Sequence, residues 1–235
     1  MLKYILEILY PPKCTFCKNL LTTTNKENKY ICKTCHQSLP FIFNDISKIS
    51  DRDIYYKFLN RNYYFKECIS VFFYEGIIAT SIRKFKFYNK LSFSSLFSYY
   101  ISLFVNDFYS DVNFDFITYI PMYKLKEKQR GYNQAKLLAK NISKILKIPL
   151  SELLIKIKDN QIQHNLPANM RINNVKNIYK ALNIQNINEK TILLIDDIVT
   201  TGSTLNEASK ILKENGAKNI YCATIATPNI KILQN

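Results

Sequence analysis

The apolar residues of this chain follow two spacings that alternate along its length. Short apolar runs at Ile69 to Tyr74, Phe116 to Ile120, Thr191 to Ile195 and Ile220 to Ala226 have the length and content of buried strands. Between them apolar positions recur every three or four residues, the period of a helix with one buried face. Ile77 to Lys86 mixes apolar and basic residues in this way, after a strand that ends at Gly76. Leu91 to Val105 sets Leu96, Phe97, Tyr100, Ile101 and Phe104 on one face, and Asn133 to Lys147 turns Leu137, Leu138 and Ile145 inward. Ser203 to Asn215 is a further helix, closed by Gly216 at its C-cap. Strands separated by helices predict an α/β fold with a mostly parallel sheet covered by helices on both faces. Lys156 to Asn177 is polar with little period and predicts a loop or a partly exposed segment.

The N-terminal run places Leu2, Ile5, Leu6 and Leu9 at helical spacing, but Lys3 and Glu7 interrupt it and no small-residue cleavage site follows. It reads as neither a signal peptide nor a membrane span, and predicts packing against the rest of the protein, with contact at a membrane surface as the second reading. The expected location is cytoplasmic, where cysteines stay reduced.

Composition sharpens this picture in three places. A chain of 235 residues with 47% hydrophobic content can bury a substantial core. A net charge of +15 predicts attraction to polyanions, although Lys, Asn, Ile, Tyr and Phe are all abundant and a coding bias accounts for the charge equally well. Against that bias the scarce residues stand out. Average usage would give roughly 16 glycines, yet only Gly76, Gly131, Gly202 and Gly216 occur, and the only arginines are Arg52, Arg61, Arg83, Arg130 and Arg171.

Cys14-x-x-Cys17 and Cys32-x-x-Cys35 form two knuckles with 14 residues between them. This spacing suits four thiolates around one tetrahedral Zn²⁺, and a four-cysteine set leaves no open position, so the metal is expected to be structural. Two disulfides are the alternative. The reading divides the chain into a zinc-binding double-knuckle module at residues 1–45 and a larger domain at 46–235. Cys68 and Cys222 lie in apolar runs as core residues, and neither His36 nor His164 has a partner in sequence that would give it a role.

The most specific motif is ILLIDDIVTTGSTL at residues 192–205. An apolar strand delivers Asp196 and Asp197 immediately before a Thr-Thr-Gly-Ser-Thr loop that opens a helix. Ligands of open α/β sheets bind beyond the carboxyl ends of strands. Two adjacent carboxylates there can accept hydrogen bonds from vicinal ribose hydroxyls and hold water-bound Mg²⁺. The N–H groups from Thr200 through Ser203 to Thr204, the hydroxyls of Thr200, Thr201 and Thr204, and the positive helix end, with Gly202 allowing close approach, make a cradle for a phosphate monoester. The bland alternative is a capped strand end. A nucleotide P-loop is excluded because no two glycines stand five apart before a Lys, and a dinucleotide fingerprint because no two stand two apart.

This motif resembles the loop of type I phosphoribosyltransferases that binds phosphoribosyl pyrophosphate (PRPP), and more narrowly the chain resembles the ComF family, a group connected with natural competence. YEGIIATSIRKFKF at 74–87, IPMYKLKEKQRGYNQAKLLAK at 120–140, HNLPANMRINNVKNIY at 164–179 and the paired cysteines carry that likeness over nearly the whole chain. The resemblance implies a type I phosphoribosyltransferase-like sheet, a PRPP site with Mg²⁺, and a service in DNA uptake. It places the pyrophosphate loop at Pro121 to Arg130, where Lys124, Lys126, Lys128 and Arg130 supply charge. The family's usual His and second Pro there are replaced by Tyr123 and Lys124. Arg83 with Lys86, and Arg171 with Asn174, are further candidates for lining the crevice, and Asn133 is a candidate N-cap. Two other functions stay open: a phosphoribosyltransferase of nucleotide salvage or modification, and a non-enzymatic nucleotide sensor that binds single-stranded DNA. The acceptor and the oligomeric state are left unassigned.

Overall fold

The structure is a computed structural model, and it describes residues 11–21, 30–43, 63–88, 90–159 and 177–229. The N-terminal run, the proposed boundary near residue 45, Arg52, Arg61, His164, Arg171 and Asn174 lie outside the described residues.

The elements in chain order are α1 (Lys33–Gln37), β1 (Glu67–Phe73), α2 (Gly76–Phe87), α3 (Ser92–Phe108), β2 (Phe116–Tyr119), α4 (Lys124–Arg130), α5 (Gln134–Leu146), β3 (Leu154–Lys156), β4 (Tyr179–Ala181), β5 (Thr191–Ile195), α6 (Ser203–Glu214) and β6 (Asn219–Thr227). Strands β1, β6, β5 and β2 form one sheet in that order, and every pairing in it is parallel. Strand alternation decides which layer each residue joins. Leu193 and Ile195 of β5 pack with Ile82 of α2, Ile101 of α3 and Leu138 of α5, while Ile192 and Leu194 pack on the other side with Leu205, Ala208 and Leu212 of α6. Both faces of the sheet are therefore covered, as the apolar runs require. Cys68 and Cys222 are buried and stand opposite each other in the β1–β6 register.

The cysteine module joins the larger of these two layers. Cys14, Leu21, Ile31 and Leu39 are buried in the same cluster as α3. Phe16 packs on Phe93 at 5.7 Å between ring centroids, and Phe41 packs on Phe72 at 4.9 Å and Tyr100 at 5.4 Å. The Phe73 N–H donates to the Pro40 carbonyl (2.8 Å) and the Ile42 N–H to the Val71 carbonyl (3.1 Å), so residues 40–42 cover the edge of β1. His36 packs beside Phe41 and Tyr100.

Three local expectations are corrected. Ile145 is 44% exposed: the inward stripe of α5 advances by steps of four through Leu138, Ile142 and Leu146, leaving Ile145 on its flank. Lys124 to Arg130 is a helix rather than a loop, because Lys, Leu, Glu, Gln and Arg are strong helix formers even without an apolar period. Lys156 belongs to an antiparallel ribbon, β3 with β4, whose three-residue strands are too short to show alternation. Asn133 does cap α5, its side chain accepting from the Lys136 N–H at 3.2 Å.

Gly216 follows α6 at φ +93°, and a Cβ there would stand 2.5 Å from Asn188 Oδ1 and 3.3 Å from its Cα. Gly216→Ala therefore combines a left-handed backbone with overpacking and is expected to cost about 1–3 kcal/mol. Urea unfolding should show a lower midpoint at unchanged slope.

Candidate functional site

Two carboxylates are fixed at the carboxyl edge of the sheet by the continuation of β5 past its last residue. The Asp197 carbonyl accepts from the Ile225 N–H at 3.0 Å, and the Val199 N–H donates to the Ala226 carbonyl at 3.1 Å, so the chain stays beside β6 through the acidic pair. Asp196 Oδ1 accepts from the Asp197 N–H at 2.8 Å. Asp197 Oδ2 lies 2.9 Å from Lys86 Nζ, the last-turn lysine of α2, with only 14% and 22% of the two side chains exposed.

These contacts set the charge of the site. Burial, and then the neighbouring Asp197, push the Asp196 carboxyl up to about 8, against the pull of the Asp197 N–H, Lys86 and Lys156. Burial opposes the Lys86 ammonium, but Asp197 and then Asp196 outweigh it and hold Lys86 above the ordinary lysine value. Burial and then Lys126 lower Lys156, which Asp159 and Asp196 oppose. Lys156 was missed by sequence reasoning, since its charge acts on Asp196 from a ribbon that the polar stretch concealed.

The loop after the carboxylates is tightly held. Gly202 has φ +71° and stands at the N-cap of α6, where a Cβ would meet the Tyr63 ring at 3.4 Å. The Tyr63 hydroxyl donates to the Thr201 carbonyl at 2.7 Å, and the Thr201 and Ser203 hydroxyls share a hydrogen bond of 2.8 Å. Thr200 is exposed, and Ser203 and Thr204 are half-buried at the first turn of α6. The N–H groups of a helix's first turn have no partner within the helix, so this end offers donors to an anion.

The basic candidates separate. Lys86 reaches the carboxylates. Arg130 lies near enough to disfavour the charge on Lys86, with its guanidinium 5.0 Å from the Phe87 ring and donating to Gln134 Oε1 at 2.7 Å. Lys126 pairs with Asp159 at 2.7 Å. Arg83, Lys124 and Lys128 are exposed and make no ion pair among the described residues.

At the second centre the Sγ atoms of Cys14, Cys17, Cys32 and Cys35 all lie within 4.8 Å of one another. Cys17 and Cys32 are 3.7 Å apart; four sulfurs at about 2.3 Å from a tetrahedral Zn²⁺ would be roughly 3.8 Å apart, so the donor set fits that ion. Lys18 takes φ +67° and its N–H donates to the Cys14 carbonyl (3.0 Å), which turns the first knuckle inward. Burial and the neighbouring thiols push Cys35 up to about 12, a thiol that needs a cation beside it to ionise.

Residues 133–234 match the model of the phosphoribosyl transferase domain, and residues 5–47 match the double zinc ribbon domain. The sheet, the carboxylate edge and the thiol cluster thus define a parallel α/β protein with a phosphoribosyl transferase domain and a structural zinc site. The chain is 39% identical over 103 residues to competence protein F of Haemophilus influenzae, covering 43% of this chain and 45% of the relative. It is 33% identical over 112 residues to the DNA utilization protein YhgH of Escherichia coli K12, covering 46% and 48%, and 26% identical over 202 residues to competence protein ComFC of Bacillus subtilis, covering 81% of each chain. Together with the two domain matches, these relatives support assigning the chain to the ComF family. The matched segment spans about half the length of the first two relatives. Among solved structures, a glutamine PRPP amidotransferase from B. subtilis is similar at a TM-score of 0.40 and 18% identity over 57% of this chain and 26% of that one. Among the described residues no helix is long and apolar enough to cross a membrane.

Proposed function

We propose that the domain following the zinc module binds PRPP or a related phosphoribosyl ligand, and that the protein acts in DNA uptake, as the names of its relatives suggest. The observation that carries the reading is the placement of Asp196 and Asp197 at the carboxyl edge of the sheet, immediately before the Gly202-capped start of α6. In this reading Asp196 and Asp197 accept from the two ribose hydroxyls. The N–H groups from Thr200 to Thr204, with the Thr200, Thr201, Ser203 and Thr204 hydroxyls, hold the 5-phosphate. Arg130 is the leading candidate for the pyrophosphate because its fork is already oriented by Gln134 and Phe87, with Lys124, Lys126 and Lys128 adding charge from α4. The Asp196–Asp197 pair is a hard oxygen donor set and fits Mg²⁺, which when bound would neutralise pyrophosphate charge. The module boundary at residue 45 belongs to the same reading, with residues 1–45 carrying zinc and 46–235 the ligand.

Calorimetric titration with PRPP in Mg²⁺ buffer tests it. The intact protein is expected to bind, and the Asp196→Asn/Asp197→Asn double variant to bind at least about tenfold more weakly, the scale of two lost charge-assisted hydrogen bonds. Equal binding by the double variant would overturn the site. The net charge of +15 favours a second reading, in which the surface holds single-stranded DNA. If the intact protein gives no heat with PRPP while binding oligonucleotide in a salt-sensitive manner, that second reading replaces the first.

A further inference from the structure

We propose that Lys86 is the resident cation of the acidic pair, seated on Asp197 in the free protein, so that a divalent cation must compete with its ammonium for the site. The inference rests on the reading of Asp196 and Asp197 as the ligand-binding carboxylates and assigns a role to the α2 lysine that meets them. The distance of 2.9 Å and the low exposure of both side chains distinguish this pair from a solvated surface ion pair.

The lysine is also held from both sides. Phe85 is fully buried and its carbonyl accepts from the Tyr132 hydroxyl, while Phe87 carries the Arg130 guanidinium over its ring. Lys86 extends the inward stripe Ile78, Ile82 by one more step of four, which is why a cation points at the sheet edge at all. An ammonium fixed there neutralises one carboxylate, and Arg130 and Lys156 add positive potential around the pair. A hard divalent ion draws its affinity from the number of carboxylate charges it meets, so a site with one charge already matched should bind it weakly.

The test uses the full zinc-loaded chain and Mn²⁺ alone, with free Mn²⁺ counted by electron paramagnetic resonance. Lys86→Met should lower the Mn²⁺ dissociation constant by about tenfold, the scale of one close charge at a half-buried site. Lys86→Arg, which keeps the charge, should bind like the natural protein, and so should Lys144→Met, which removes an exposed charge on α5. Lys86→Gln repeats the measurement should the Met variant lose its fold. Equal or weaker Mn²⁺ binding by the neutral Lys86 variants would overturn the proposal. A parallel PRPP titration separates the two readings: PRPP binding with unchanged Mn²⁺ affinity sinks the resident cation and leaves the ligand site standing. Tighter Mn²⁺ binding without any PRPP binding supports the resident cation and removes the ligand.

Discussion

Cys14→Ser is expected to release the zinc and to lower the melting temperature by on the order of 10 °C or more, since a structural Zn²⁺ contributes about 10 kcal/mol or more to a small metal-folded unit. Within the described part of the module little secondary structure holds the knuckles, and its other support is packing against α3 and β1. Its helix α1 is only five residues long and buries none of them, and its loops close through single hydrogen bonds such as Cys14 N–H to the Asn19 carbonyl at 2.8 Å. Cys14 is the fully buried member of the thiol set, so its loss also removes an apolar contact. The damage should travel, because Phe16 and Phe41 insert into the layer formed by α3 and Phe72, and Pro40 and Ile42 bond to β1. Metal analysis, a thermal melt and amide hydrogen exchange would read this together, with protection falling at residues 30–43 and along β1. Cys68→Ser is the control, since Cys68 is buried against Cys222 and away from the thiol cluster, and should leave zinc bound. Retention of zinc by the Cys14 variant would remove that residue from the ligand set.

What could be read in the sequence follows from how far apart the interacting residues lie. The four strands of the main sheet were visible because each is buried on both faces and so reads as a nearly continuous apolar run. The acidic pair and its loop were visible because every group needed for that edge falls within fourteen consecutive residues. The thiol cluster was visible through its spacing for the same reason. By contrast, the Lys86–Asp197 pair joins α2 to the end of β5, and along the chain Lys86 stands out only as one of several basic residues that could line a crevice. Its position on the stripe of Ile78 and Ile82 was a usable signal, since a charge on an apolar face needs a partner. Lys156 offered no such signal, and neither did Tyr63, whose hydroxyl bonds a loop carbonyl far along the chain. The exposed Arg83, Lys124 and Lys128 show the converse: charge in a suggestive segment does not fix where a side chain ends up.

Asp196→Asn should stabilise the ligand-free protein at neutral and alkaline pH while weakening its binding of phosphoribosyl ligands. Burial and Asp197 raise the Asp196 carboxyl to about 8 in the folded chain, well above an ordinary aspartate. The sign follows from linkage. Near pH 4 and below, the carboxyl is protonated in both states and costs the fold nothing. As pH rises from there towards 8, the unfolded chain ionises freely and the folded chain does not, so stability falls; above pH 8 both are ionised and the penalty stays constant. An Asn side chain carries no charge to desolvate, and its Oδ1 can still accept from the Asp197 N–H. It also removes the repulsion that Asp197 feels from Asp196, leaving Lys86 to neutralise the remaining carboxylate. The gain at pH 8 should be of the order of 3 kcal/mol, or several degrees in melting temperature, shrinking towards zero near pH 4. Melts of the two proteins across pH 4–9, in buffer free of phosphate and divalent ions, decide the matter. A difference that does not vary with pH would show that Asp196 ionises normally in the folded chain. A difference that grows with pH would show that the carboxylate edge is kept at a cost to the fold, which is how a site retained for binding differs from a capped strand end.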